Sequence, residues 1–134
     1  LVAIHVNMPL SLPDTDAIAD WTPQEKEAAA TTQRWLTEGS GYSRQQSTRP
    51  QTVGYGLTDS PAGQAAWIYE KFQAWSDCDG DVESLLTRDE LLDNISIYWF
   101  TGTAASSARL YWESMEGVFV PRTITVPTGC SIFP

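Results

Sequence analysis

Residues able to make or break bonds near neutral pH are sparse in this chain. His5 is the only histidine, so a hydrolytic scheme needing an imidazole base must use it or draw the base from elsewhere. It stands in the apolar run Leu1-Val2-Ala3-Ile4-His5-Val6, where a hydrogen-bonded core histidine is a more common outcome than a catalytic one. No serine occupies a Gly-x-Ser-x-Gly turn, the sharp bend that exposes a nucleophilic hydroxyl. Taken alone, the 134 residues hold no complete catalytic apparatus.

The run Asp77-Cys78-Asp79-Gly80-Asp81-Val82-Glu83 places carboxylates at alternate positions, as the first half of a calcium loop does. The template fails where it matters most: its sixth place requires glycine and holds Val82, and its twelfth requires a bidentate glutamate and holds Arg88. A solvated loop is the expectation. Cys78 and Cys130 are the only cysteines and stand far apart, in no Cys-x-x-Cys or Cys/His arrangement, which argues against a disulfide framework or a zinc site. The remaining polar-tipped candidates are tyrosines. Tyr42 follows Gly41 at a helix end, and Tyr111 lies on a helix after Thr101-Gly102-Thr103. Pattern alone makes each more often a packing or interface residue than a donor.

The elements that must position these residues are mostly helices. A buried strand ends near Val6, before Asn7-Met8-Pro9, and residues 10–20 read as a loop. Thr22-Pro23-Gln24-Glu25 combines an N-cap, a proline at the first helical position and a capping-box glutamate, opening a helix over about 23–38 that ends at Gly39 and Gly41. Residues 42–60 are polar and read as a short helix or turn followed by loop. From 62 to 75 the apolar positions Ala65, Ile68, Phe72 and Trp75 recur on one helical face. Thr87-Arg88-Asp89-Glu90 is a second capping box, starting a helix through Leu91, Leu92, Ile95, Tyr98 and Trp99 to Gly102. A further helix spans 103–114, with Gly117 as its end, and residues 124–132 read as a final strand with its adjoining loop. Strand, long helical block, strand is too much for an ordinary crossover between parallel strands, and points to a helical insertion between two strands of a sheet.

The bulk properties bound the function. Net charge is −9, from 17 acidic and 8 basic residues with no basic run, which argues against nucleic acid or an anionic membrane surface as partner. No apolar run approaches the roughly 18 residues of a membrane helix, so the chain reads as soluble and cytoplasmic. Six tryptophans and 11% aromatic content fit a sizeable core or a lined apolar pocket. Both ends run straight into strand-like sequence without a polar tail, and the expectation is a section of a longer protein.

Several segments, in order, resemble one family. These are Gly41-Tyr42, the stretch Thr48-Arg49-Pro50-Gln51-Thr52-Val53-Gly54-Tyr55-Gly56-Leu57-Thr58-Asp59-Ser60-Pro61-Ala62-Gly63, then Glu70-Lys71-Phe72 and Trp75-Ser76-Asp77. Leu91-Leu92-Asp93-Asn94, Tyr98-Trp99-Phe100-Thr101-Gly102-Thr103, Ser106-Ser107-Ala108-Arg109-Leu110-Tyr111, Val126-Pro127-Thr128-Gly129 and Phe133-Pro134 continue the series, and His5-Val6-Asn7-Met8 resembles the strand before it. Together they look like the cap and flanking strands of microsomal-type epoxide hydrolases. The resemblance implies an α/β fold, specifically an α/β-hydrolase fragment with a mostly helical cap inserted between two core β-strands. It divides the chain into a core strand over 1–9, the first part of the cap over 10–60, helices of the cap and of the return to the core over 61–122, and the next core strand over 123–134.

In that family an aspartate opens the oxirane to a hydroxyalkyl ester, which a histidine-activated water hydrolyses, and two cap tyrosines hydrogen-bond the oxirane oxygen. The resemblance therefore implies Tyr42 and Tyr111 as the catalytic donors, no metal or organic cofactor, a small apolar epoxide and water as reactants, and a homo-oligomer as one arrangement of the parent. It also implies that the nucleophile precedes Leu1 and that the acid and histidine follow Pro134, leaving the section inactive by itself. His5 falls in the strand position and is not the missing base. Two other readings are weighed beside this one: another capped hydrolase such as a dehalogenase, and a non-catalytic helical interaction domain.

Overall fold

A computed structural model describes residues 1–7, 20–118 and 123–131. The expected loop over 10–20 therefore lies outside the described residues except for Asp20, as do Phe133 and Pro134. The described elements are β1 (Ile4–Val6), α1 (Pro23–Arg34), α2 (Gly41–Thr48), α3 (Pro50–Asp59), α4 (Pro61–Trp75), α5 (Arg88–Thr101), α6 (Ala104–Val118) and β2 (Thr128–Cys130). They fall into two compact units, one of residues 1–42 with 114–134 and the other of residues 43–113.

In the first unit β1 and β2 pair in parallel, with Ile4 opposite Thr128, His5 opposite Gly129 and Val6 opposite Cys130. The ladder is bounded by Ile4 N–H donating to the Pro127 carbonyl at 3.0 Å and Ser131 N–H donating to the Val6 carbonyl at 3.0 Å. Of the strand and adjoining loop expected over 124–132, interrupted by Pro127 and Gly129, the strand among the described residues is Thr128–Cys130, beginning after Pro127, which has no N–H to give a ladder. The capping box at α1 forms in both directions. Glu25 N–H donates to Thr22 Oγ1 at 3.2 Å, and Thr22 N–H donates to Glu25 Oε2 at 2.7 Å. Beyond Arg34 the helix widens into a π turn over Trp35–Gly39. Gly39 permits it, because a Cβ there would lie 2.9 Å from the Trp35 indole Cδ1.

Every buried apolar residue among those described lies in the second unit. Cys78, Val82 and Leu91 form its centre, with Tyr69, Phe72 and Leu86 packed around them. Residues 50–59 are helix rather than the expected loop: Pro50 supplies the first helical position, and Gly54 and Leu57 turn inward three residues apart. On α4 the inward stripe differs from the expected face. Gln64 is buried and Ile68 and Phe72 are half-buried, whereas Trp75 is 57% exposed. Ser60 caps this helix, its Oγ accepting from Gly63 N–H at 3.0 Å. The second capping box, Thr87 with Glu90, opens α5, and Gly102 closes it at φ +64°, a left-handed conformation that glycine adopts without steric penalty. No helix among the described residues is long and apolar enough to cross a membrane.

Candidate active site

Tyr42 is the second residue of α2 and is half-buried. Its approach is fixed by Ser40, a buried residue whose Oγ donates to the Leu36 carbonyl at 2.7 Å and which turns the chain out of the π turn with φ −88° and ψ 1°. Tyr111 lies on α6, also half-buried. Ala104 and Ala108, seven and three residues before it, are both buried, so the three share the inward face of the helix. The outer face carries the Arg109–Glu113 ion pair at 3.1 Å. Tyr42 belongs to the first unit and Tyr111 to the second, and each is placed within its own unit.

His5 is hydrogen-bonded but exposed, not a core histidine: its Nε2 lies 3.1 Å from Ser131 Oγ. Gly129 makes room for it, since a Cβ there would meet the imidazole Cδ2 at 3.1 Å. A pairing across the ladder of this kind ties the two strands together.

The acidic run is a turn in which the carboxylates of Asp81 and Glu83 have local partners. Asp79 at φ +47° and Gly80 at φ +82° reverse the chain, Asp81 Oδ1 accepts from Glu83 N–H at 3.2 Å, and Glu83 takes both Arg88 Nε at 3.2 Å and Nη2 at 2.8 Å. That bidentate pairing, first through its hydrogen bonds and then through the Glu83 charge, raises the Arg88 guanidinium above its ordinary value. No group of three or more His, Cys, Asp or Glu side chains able to hold a metal occurs among the described residues. Both cysteines are thiols. Cys78 is buried and reaches the Gln73 carbonyl at 3.5 Å, and Cys130 is exposed on β2.

The interior residue Gln64 escaped the sequence reading, as did the buried Ser40, Ser43 and Gln46. Gln64 donates from Nε2 to the Ile95 carbonyl at 3.0 Å, joining α4 to α5, while its Oε1 is buried without a hydrogen-bond partner. Its position four residues before Ile68 and eight before Phe72 was the available signal.

No family profile matches the chain. Across all 134 residues it is 56% identical to a Stigmatella aurantiaca protein carrying an epoxide hydrolase designation. The chain is homologous to the epoxide hydrolases. Over 110 residues, 74% of this chain, it is 44% identical to epoxide hydrolase 1 of Sus scrofa, of which it covers 24%. It superimposes on the crystal structure of juvenile hormone epoxide hydrolase from Bombyx mori with a TM-score of 0.77 and 31% identity, covering 97% of this chain and 36% of that one. The chain spans 30% of the length of the Stigmatella protein. Its fold is accordingly that of an α/β-hydrolase section, mostly helical with two short strands.

Proposed function

We propose that the protein containing this section adds water to small apolar epoxides, giving vicinal diols, and that Tyr42 and Tyr111 donate hydrogen bonds to the oxirane oxygen during ring opening. The observation that carries this reading is the 56% identity over every residue of the chain to an epoxide hydrolase relative.

The chemistry explains why such donors are needed. In the proposed sequence a carboxylate of the wider protein attacks one oxirane carbon, the C–O bond breaks, and the electron pair passes to oxygen. An unassisted alkoxide is a poor leaving group. A phenol held in a water-poor pocket stabilises the charge as it develops, when stabilisation accelerates the step most. It can also transfer its proton to that oxygen while being neutral near pH 7. Water activated by a histidine then hydrolyses the ester. Both tyrosines are half-buried, which keeps much of each ring packed within the protein as a positioned donor requires. No step calls on a metal or organic cofactor. The 134 residues expressed by themselves turn over no epoxide.

Single-turnover kinetics of the full-length protein with styrene oxide tests the assignment. Tyr42→Phe and Tyr111→Phe are each expected to slow formation of the ester, on the order of a hundredfold for loss of one such donor, and the double variant more. An unchanged alkylation rate in the double variant removes the tyrosines from the mechanism. Turnover of a haloalkane with none of the epoxide replaces the substrate class by that of a dehalogenase.

A further inference from the structure

The tyrosine on α6 is only as well aimed as the helix that carries it. Within the second unit that helix is held near its start in two ways. One is the joint with α5: Gly102 turns the chain at φ +64°, Thr103 N–H donates to the Tyr98 carbonyl at 3.1 Å, and the Thr101 and Thr103 hydroxyls lie 2.8 Å apart. The other is a close approach to α3. Gly54 is buried, and a Cβ built on it would lie 3.0 Å from Ala105 Cβ and 3.3 Å from Ala105 Cα. Neither atom is the tip of a flexible side chain, so a larger residue at 54 must move one helix against the other.

We infer that Gly54 is a positioning residue for ring opening: its missing side chain sets the direction of α6 and so the placement of the Tyr111 hydroxyl. This inference rests on the role proposed for Tyr111. At about 1.5 Å rise per residue, Ala105 lies ~3 Å from the joint at Thr103 and Tyr111 ~12 Å from it. A displacement of a few tenths of an ångström at Ala105 therefore grows to about an ångström at Tyr111, and a misplacement of about that size can cost on the order of a hundredfold in rate. The buried Ala104 and Ala108 resist part of the swing.

The test is rapid-quench measurement of ester formation and ester hydrolysis in the full-length protein with styrene oxide, beside its thermal midpoint. Gly54→Ala is expected to slow alkylation about tenfold, part of the hundredfold that a full ångström can cost, and to leave hydrolysis of the ester unchanged. Its thermal midpoint should not fall in step, because alanine is the better helix former. Adding Ala105→Gly removes the 3.0 Å contact and leaves the one to Cα at 3.3 Å, so it should return most of the lost alkylation, to within about threefold of the parent, as expected if the slowing came from a displaced donor. Unchanged alkylation in Gly54→Ala, equal slowing of both steps, or no rescue by Ala105→Gly overturns the inference. If Gly54→Ala does not fold, a folded double variant with alkylation within about threefold of the parent supports it, and a double variant that also fails to fold overturns it. Tyr111→Phe in the same series separates the two levels: if it too leaves alkylation unchanged, the role of Tyr111 is what fails.

Discussion

A side chain that must act at one point in space needs neighbours that limit its rotamers, and at the residue scale Gln64 shows the same demand met for a structural purpose. Its amide spans from α4 to the Ile95 carbonyl inside the second unit and leaves Oε1 buried and unbonded. Because the Ile95 carbonyl already belongs to a helical turn, replacing the amide by an apolar group of similar shape removes an unsatisfied acceptor together with a bond. Gln64→Leu should alter stability by less than about 1.5 kcal/mol, as shape-conserving changes do. Gln64→Glu should destabilise by about 3 kcal/mol or more, through a buried carboxylate facing a carbonyl. Urea unfolding of both variants at pH 7 checks this, and a glutamate variant as stable as the leucine one would show that the site is wet. The tyrosines illustrate how little of a site single residues disclose. Nothing in the spacing of Tyr42 or Tyr111 distinguished a donor from a packing ring, and only the ordered likeness across the whole chain selected them.

Elements were legible where local chemistry decides them and obscure where tertiary contact does. Both capping boxes could be read directly, because each needs only a threonine and a glutamate three residues on. The Gly102 stop was equally plain. By contrast α3 read as loop, since residues 42–60 are polar; Gly54 and Gly56 are in addition each poor helix formers by about 1 kcal/mol relative to alanine. The compensation, a close approach to Ala105, belongs to another helix and is invisible in a local window. The inward stripe of α4 was misplaced for a similar reason: Trp75 fits the apolar spacing, but burial went to Gln64. Two predictions belong at this scale. Thr87→Ala should destabilise by about 1 kcal/mol, the usual effect of losing an N-cap, as seen in equilibrium unfolding at pH 7. The carboxyls of Glu25 and Glu90 are held below their ordinary values, chiefly by the backbone N–H of Thr22 and Thr87 and then by the threonine hydroxyls. A depressed carboxyl adds stability that is present above its unfolded pKa of about 4.3 and is lost as pH falls through the folded value. Unfolding midpoints of the parent should therefore drop more steeply below about pH 4.3 than those of Glu90→Gln, and parallel acid profiles would discount the box.

For the whole molecule, the division into two units concentrates apolar burial in residues 43–113, so substitutions there should dominate stability. Leu91, 1% exposed between Cys78 and Val82, is the clearest case: Leu91→Ala is expected to lower stability by about 3 kcal/mol, measured by urea unfolding, and a loss under 1 kcal/mol would mean that α5 closes over the gap. The expected order of strand, helical block and strand is present, and was legible because apolar runs and helix caps are local signals. The break at Pro127 was legible too, since a proline cannot give its N–H to a ladder, whereas Gly129, read as a second interruption, lies within β2. The parallel register of Ile4 with Thr128 has a kinetic side. Contacts among α3, α4 and α5 join near neighbours in sequence and can form within microseconds to milliseconds, whereas β1 and β2 must first close a loop spanning almost the whole chain. During synthesis the edge of β1 that pairs with β2 therefore waits for its partner until every helix between the two strands has been made.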